Sequence, residues 1–277
     1  MTNGNMDGFS FIRWVFIAIF FIITMVSAFW TSSLVPIMIV VSIFIVAILH
    51  GIERYGIKNI LVFFALTWIV SHFFEALSIQ TGFPFGFYYY NQLAGPRLFQ
   101  VPLIIMFAYF GTGYASWILA HVLLDQYHDK LKGAQVFWVP LIGAFIMTMW
   151  DLCMDPLCST VDSLWVWRDP GVYFGVPLKN YFGWFFVVYI IFQLFAFYIS
   201  KFDKLARKKL PIVSSKFFWI EAAAIYGIQG AGLLVQPFGA TNYLQIYGSM
   251  ALITIFTMMF VTLVSCLKIR KSNLVTF

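Results

Sequence analysis

The sequence predicts an all-α, polytopic transmembrane bundle of about eight helices, with both termini in the cytoplasm. The chain of 277 residues is 62% hydrophobic and 10% charged, whereas soluble domains are roughly 45 to 50% apolar and about 25% charged. Two long runs, Trp14 to Ile52 and Ala222 to Leu267, contain no Asp, Glu, Lys or Arg. Each run is long enough for two bilayer crossings of about 20 residues apiece.

Four shorter charge-free runs account for one helix each, and the third and seventh helices extend past Glu75 and Glu221. A transmembrane β-barrel would need segments of about ten residues that alternate in polarity, and these runs are apolar throughout. No residues are left over for a soluble domain, so residues 1–277 are expected to form a single transmembrane domain. The predicted helices lie near residues 11–30, 34–51, 58–78, 99–124, 134–154, 180–200, 216–237 and 245–267.

The distribution of basic residues predicts the orientation. Of the 17 Lys and Arg residues, 14 fall at the end of the bundle that carries the termini, and only Arg97, Arg168 and Lys179 fall at the other end. Cytoplasmic segments carry the excess of Lys and Arg in membrane proteins. The net charge of +6 is therefore explained without a nucleic-acid partner, and we expect a multi-pass protein of a cell membrane, in prokaryotes the inner membrane.

Two connections at the external end, Ile79 to Leu98 and Asp155 to Lys179, are long, aromatic and rich in Gly and Pro. This density of Gly and Pro disfavours regular helix. Irregular backbone at membrane depth is tolerated only where it is buried in protein or lines a cavity. The two loops are therefore expected to cover the outer side of the bundle. The alternative for their Trp and Tyr residues is an interfacial aromatic belt.

Carboxyl groups inside the membrane are costly and are functional candidates by default. Asp151 and Asp155 are four residues apart on the fifth helix, which places them on one face about 6 Å apart. Two carboxyls this close cannot both ionise easily, so a protonated acid is expected beside a carboxylate. The topology brings Glu75 to the same level, beneath the two loops.

A structural alternative is that these three carboxyls form a hydrogen-bonded polar plug. Glu221 falls at the cytoplasmic end near Lys216 and is expected to form an interfacial ion pair.

No metal or redox cofactor is predicted, because the four histidines show no spacing that would hold iron and the three cysteines form no CxxC motif. The Gly-rich stretch 111–116 lies within a span and predicts helix packing.

The remaining signal is the aromatic content of 33 Phe, 14 Tyr and 10 Trp residues. Aromatic faces can line a polyene and can stabilise a cation by roughly 0.5 to 2 kcal/mol each. A protonated carboxyl beside aromatic faces is what protonation of an alkene requires. The pattern therefore favours acid chemistry on an apolar substrate.

Four segments together resemble a known family, the membrane carotenoid hydratases, which include gamma-carotene hydratases and bisanhydrobacterioruberin hydratases. The segments are Glu75 with Gly82–Tyr90, the Asp151–Pro156 motif (DLCMDP), Trp165–Trp167, and Tyr173–Trp184 (YFGVPLKNYFGW). The pair of motifs DLxxDP and FGVPxxN is fairly specific, and the family-like core spans about residues 70 to 190.

The resemblance implies addition of water to the terminal ψ-end double bond of an acyclic or half-cyclic carotenoid, giving a tertiary alcohol without a cofactor. The expected partners are water and a lipophilic carotenoid or polyprenoid in the bilayer, with other pigment-biosynthesis enzymes as further partners. Asp151 and Asp155 are the expected acid and charge-stabilising pair, with Glu75 as helper or water base. The expected substrate-binding residues are His72, Tyr88, Tyr90, Trp150, Trp165, Trp167, Tyr173, Asn180 (an orienting group) and Trp184.

Three other functions stay open at this point. A membrane terpene or polyprenoid cyclase would share the protonation step but would let an internal alkene capture the cation. A proton-coupled transporter would use the carboxylates as a relay. A pigment-binding protein would use the aromatic residues but would leave the carboxyl cluster unexplained.

The orientation can be tested with reporter fusions. Fusions after Lys130 should report from the cytoplasm and fusions near Gly86 and Asp169 from the external side, because the basic segments resist translocation. An external signal after Lys130 would contradict the predicted orientation.

Overall fold

A computed structural model describes residues 8–30, 32, 34–92, 95–127, 129–204 and 212–275. Within these ranges, eight segments are long and apolar enough to cross a membrane, which confirms the predicted fold class. The protein is thus a multi-pass membrane protein. The helices are α1 (Gly8–Val26), α2 (Leu34–Tyr55), α3 (Ile57–Thr81), α4 (Leu103–Leu123), α5 (Gln135–Asp155), α6 (Leu178–Phe202), α7 (Lys216–Gly239), α8 (Leu244–Thr254) and α9 (Phe260–Lys271).

The fifth and eighth spans contain wide turns that the sequence pattern did not predict. Helix α5 continues into a π-helical turn, Pro156–Val161, seven residues beyond its predicted end. Pro156 cannot donate an amide hydrogen bond to the Leu152 carbonyl, and the Tyr173 hydroxyl donates to that carbonyl instead, at 3.1 Å. A second π-helical turn, Ile255–Met259, joins α8 and α9 into one span.

Two short antiparallel ribbons replace the expected irregular loops at one end of the bundle, which we call the outer end. Strand β1 (Tyr88–Tyr90) belongs to the loop after α3, and β4 (Trp165–Trp167) belongs to the loop after α5. They pair with Tyr88 opposite Trp167 and Tyr90 opposite Trp165. The smaller ribbon joins β2 (Arg97–Leu98) to β3 (Val101–Pro102). The first ribbon therefore ties the two unusual loops together.

Helices α3 to α6 form a four-membered core. Helices α3 and α5 each pack against both α4 and α6, so α3 and α5 lie diagonally opposite each other. Aromatic rings fill the centre of this core, with Phe63 4.6 Å from Phe195 and Trp117 5.4 Å from both Phe192 and Phe195, measured between ring centroids. Helices α1, α2 and α7 to α9 pack around it.

The glycine-rich stretch in α4 mediates helix packing, as predicted. A Cβ atom added at Gly111 would lie 2.6 Å from a methyl carbon of Ile43 on α2. Only glycine allows α2 and α4 to approach so closely.

Lysine side chains bind the last carbonyls of several helices at the other, inner end of the bundle. Lys268 donates to the Leu123 carbonyl at the end of α4 at 2.6 Å, and Lys216 donates to the Arg270 carbonyl in α9 at 2.8 Å. Unpaired carbonyls at helix C-termini attract cations. Three basic residues of the orientation argument, Arg207, Lys208 and Lys209, lie outside the described residues, as does His128.

The prediction that Glu221 forms an interfacial ion pair near Lys216 is wrong. Glu221 is fully buried, and its carboxylate pairs with Arg13 of α1, whose Nε lies 2.5 Å away. Arg13 is also fully buried and lies 2.6 Å from Glu53 of α2. The sequence neighbour Lys216 instead faces α9, because side chains five residues apart on a helix point roughly 140° away from each other. Arg13 therefore joins α1, α2 and α7.

This buried ion pair should be a major stabilising contact. Glu221→Gln should lower the free energy of unfolding by about 3 kcal/mol, because it leaves the buried Arg13 charge with one partner fewer. Glu53→Gln is the matched control and should cost less, since the Glu53 side chain is 13% exposed. Denaturant unfolding in detergent measures both, and equal losses would contradict the assignment.

Candidate functional site

A cavity of about 50 Å³ lies at the outer end of the four-helix core, beneath the β1–β4 ribbon. This volume is room for a few water molecules. All four core helices and the ribbon contribute to its wall. The lining residues are Glu75, Phe85, Tyr88, Tyr90, Ile105, Ala108, Tyr109, Trp150, Met154, Asp155, Trp165, Trp167, Asn180 and Trp184.

The ribbon forms the roof of the cavity through the alternation of its side chains. Successive side chains of a strand point to opposite faces, so Tyr88 and Tyr90 share one face with their partners Trp167 and Trp165. These four residues line the cavity, whereas Tyr89 between them is 48% exposed. Of the three consecutive tyrosines, the first and third therefore face the cavity and the second lies on the surface.

Three tyrosine hydroxyls converge on the buried carboxyl group of Glu75. Tyr88 and Tyr90 donate to Oε2, the latter at 2.8 Å, and Tyr109 of α4 donates to Oε1 at 2.7 Å. Burial, and then the neighbouring Glu75 charge, raise the pKa of Tyr88 and Tyr90 well above the ordinary tyrosine value. Both phenols therefore keep their protons, and the three donors together stabilise negative charge on Glu75.

One amide group bridges the two aspartates of α5. The Nδ2 atom of Asn180, on α6, lies 3.0 Å from Oδ2 of Asp151 and 2.7 Å from Oδ2 of Asp155. An amide nitrogen carries two hydrogens, so it can donate one to each carboxyl. The other oxygen of Asp155 accepts from Nε1 of Trp165 at 2.8 Å. Both aspartates are buried, and Asp155 faces the cavity.

The two carboxyl centres lie on opposite walls of the cavity. Glu75 belongs to α3 and Asp155 to α5, the diagonal pair of the core. Each centre has its own set of donors, tyrosines for Glu75 and Asn180 with Trp165 for Asp155. A molecule in the cavity would thus have one carboxyl group on each side. Such an arrangement can deliver a proton from one wall and accept a proton at the other.

An aromatic wall completes the cavity. Tyr109 and Trp184 are stacked with ring centroids 4.5 Å apart and planes 3° from parallel, and Trp150 lies edge-on to Trp184 at 6.0 Å. Aromatic faces of this kind stabilise a nearby positive charge. Tyr109 was not among the predicted site residues. It lies in the middle of an apolar run, and no local motif distinguishes it.

The structure brings most of the predicted site residues together and leaves three outside the cavity wall. Asp151 lies behind Asn180. His72 packs near Phe99, and the Tyr173 hydroxyl donates to the Leu152 carbonyl at 3.1 Å. The residues that do line it are Glu75, Tyr88, Tyr90, Trp150, Asp155, Trp165, Trp167, Asn180 and Trp184. Among the described residues no group of three or more His, Cys, Asp or Glu side chains is placed to hold a metal ion.

The site residues all lie in a part of the chain that matches a known protein family. The family model described as "carotenoid biosynthesis protein" matches residues 33–245. Over 121 residues the chain is 28% identical to the bisanhydrobacterioruberin hydratase of Haloarcula japonica, a stretch that covers 43% of this chain and 39% of that protein. The chain thus spans about two fifths of the length of this relative. No solved structure matches the chain.

Removing single ribbon hydroxyls should test the tyrosine cluster. Tyr88→Phe and Tyr90→Phe should each lower the free energy of unfolding by about 1 to 3 kcal/mol, because each leaves the buried Glu75 carboxyl without one donor. Tyr89→Phe, on the exposed face of the same strand, should change it by less than about 0.5 kcal/mol. Thermal and denaturant unfolding in detergent measure all three variants. Equal losses of stability would contradict the inference that only the cavity-facing hydroxyls of β1 stabilise the buried Glu75 carboxyl.

Proposed function

Because this chain belongs to the carotenoid biosynthesis protein family, we propose that it is a membrane carotenoid hydratase. The proposed reaction adds water across the terminal ψ-end double bond of an acyclic or half-cyclic carotenoid. The observation that carries the proposal is the pair of buried carboxyl centres, Asp155 and Glu75, on opposite walls of one aromatic-lined cavity. The hydratase name of the Haloarcula japonica relative supports the same chemistry.

In the proposed first step, Asp155 transfers a proton to the less substituted carbon of the double bond. A C–H bond forms, and the positive charge develops on the carbon that bears two methyl groups. The donors Trp165 and Asn180 stabilise the carboxylate that Asp155 becomes. The faces of Tyr109 and Trp184 stabilise the cation. Asp151, bound to the same amide, shares the charge of the pair without touching the substrate.

In the second step, a water molecule attacks the cation from the opposite wall. Glu75 accepts the proton that water loses as the C–O bond forms and then releases it to solvent, while the Asp155 pair regains one proton from solvent. The sum is addition of one H₂O, with no net oxidation or reduction, so the proposed reaction needs no redox cofactor. The cavity of about 50 Å³ has room for that water beside the end of the substrate only if neighbouring side chains move.

The acid assignment predicts unequal losses in the two aspartate variants. Asp155→Asn should lower kcat at least about 100-fold, the range of a lost general acid, and Asp151→Asn at least about tenfold, because Asn cannot donate or share the acidic proton. Asp162→Asn, an exposed carboxyl just beyond the π-helical turn, is the matched control and should be near wild type. Pigment analysis by mass measures turnover. If Asp151→Asn and Asp155→Asn both keep more than about a tenth of wild-type kcat, the aspartates form a structural polar plug.

Isotope labelling tests the reaction itself. Purified protein in detergent, without oxygen, should convert a ψ-ended carotene to a tertiary alcohol that takes its oxygen from H₂¹⁸O. In D₂O, one deuterium should appear on the carbon next to the carbinol, because the carboxyl proton exchanges with solvent. Oxygen from ¹⁸O₂ would refute hydration. A deuterated isomer without added oxygen would instead establish a cyclase that uses the same acid.

A further inference from the structure

The proposed reaction removes a proton from the acid pair, Asp151 and Asp155, in every turnover. The cavity of about 50 Å³ holds only a few water molecules, so the end of a substrate fills it. The β1–β4 ribbon covers the cavity towards the aqueous side. A proton that returns to the pair while the cavity is occupied therefore needs a path outside the cavity.

Two buried polar atoms outside the cavity wall have no hydrogen-bond partner among the described residues. They are Oδ1 of Asp151 and the hydroxyl group of Tyr181. Asp151 is fully buried, and Tyr181 is 9% exposed. A buried polar atom without a partner costs free energy, and bound water is the usual partner of such atoms in protein interiors. The two atoms therefore mark a site for water.

Helix α6 brings the Tyr181 hydroxyl to the acid pair. Tyr181 directly follows Asn180, whose Nδ2 atom bonds Oδ2 of Asp151 and Oδ2 of Asp155. The Tyr181 hydroxyl lies close enough to the pair for the charges of Asp155 and Asp151 to act on it. Asn180 thus occupies one oxygen of Asp151, and Oδ1 is left for a different donor.

The outer surface of the protein lies close to this site. Tyr181 belongs to the first turn of α6, and the ring of Tyr173 packs edge-on against it with centroids 5.3 Å apart. Tyr173 belongs to the loop before α6, where Val172 is 88% exposed. The Tyr173 hydroxyl already donates to the Leu152 carbonyl. Tyr181 therefore lies beneath a surface loop and keeps its own hydroxyl free for water.

We propose that the Tyr181 hydroxyl and Oδ1 of Asp151 bind a water molecule, and that this water returns solvent protons to the acid pair. The water donates one proton to Oδ1 as its own O–H bond breaks, and a proton from the external solvent restores the water. Half a turn of the Asp151 carboxyl about its Cβ–Cγ bond, a soft torsion, then presents the new proton towards Asp155. Tyr181 is a positioning residue, because it holds the water and touches no reacting atom of the substrate. This inference rests on the proposed function for the turnover that it serves.

Rapid-quench kinetics with an excess of a ψ-ended carotene test the route by activity. In Tyr181→Phe the first turnover should stay within about twofold of wild type, and later turnovers should be at least about tenfold slower. The result is a stoichiometric burst of product, because the preloaded acid reacts once and then recovers slowly.

Tyr189→Phe is the matched control for these kinetics. Tyr189 lies on the same helix, but its hydroxyl has a partner, Oε1 of Gln193 at 3.0 Å. This variant should show no burst. An unchanged steady-state rate in Tyr181→Phe would overturn the proposal, and so would a first turnover slowed as much as the later ones.

Infrared spectroscopy gives a readout that does not depend on turnover. The protonated-carboxyl band that is lost in Asp151→Asn should shift when the wild-type protein in detergent is moved from H₂O to D₂O. In Tyr181→Phe this exchange should be at least about tenfold slower, and in Tyr189→Phe it should keep the wild-type rate. Hydration by the wild type with unchanged exchange in Tyr181→Phe would refute the route and leave the proposed function standing. Slowed exchange without any hydration would support the water site and refute the proposed function.

Discussion

The burial of three carboxyl groups in the membrane interior is the constraint on which the outer half of this structure depends. Unsolvated carboxyl oxygens are costly in an apolar medium, so the chain must supply donors from elements that are distant in sequence. Glu75 takes its donors from the β1 strand and α4, and Asp155 takes its donors from α6 and the β4 strand. The helices around the cavity are arranged so that both carboxyl groups receive these donors at the same time.

The β1–β4 ribbon satisfies this constraint and closes the cavity with the same residues. Its register places two phenol groups and two indole rings on the inner face, where Tyr88 and Tyr90 bind Glu75 and Trp165 binds Asp155. Because the two strands pair, the ribbon donors of Glu75 and of Asp155 are held at fixed positions relative to each other. A shift of one strand by one residue would turn the inner-face groups of that strand away from the cavity.

The two ends of the bundle use buried charge differently. At the inner end, buried carboxylates meet cations, as in Arg13 with Glu53 and Glu221 and in Arg54 with Asp203, 3.1 Å apart. Such ion pairs join helices. At the outer end the carboxyls are met by neutral hydroxyl, amide and indole groups, so their protons can be given and taken. This difference supports chemistry at the outer end and structure at the inner end.

The sequence by itself determined the membrane architecture, because hydropathy acts locally and every span must be long enough to cross the bilayer. It also determined the candidate carboxyls, since Asp151, Asp155 and Glu75 are conspicuous in apolar runs, and the spacing of the aspartates predicts one helix face. The wide turn after Pro156 was not predictable, since it depends on the loop that follows.

Only the tertiary structure decided which residues meet. Tyr109 joins Glu75, Arg13 replaces Lys216 as the partner of Glu221, and Asp155 faces the cavity while Asp151 lies behind Asn180. Which of Tyr88, Tyr89 and Tyr90 face the cavity is decided only when β1 pairs with β4. These contacts join residues as many as 208 positions apart. They depend on how helices rotate and pack against one another, and a local pattern of polarity carries no information about that rotation beyond which face is apolar.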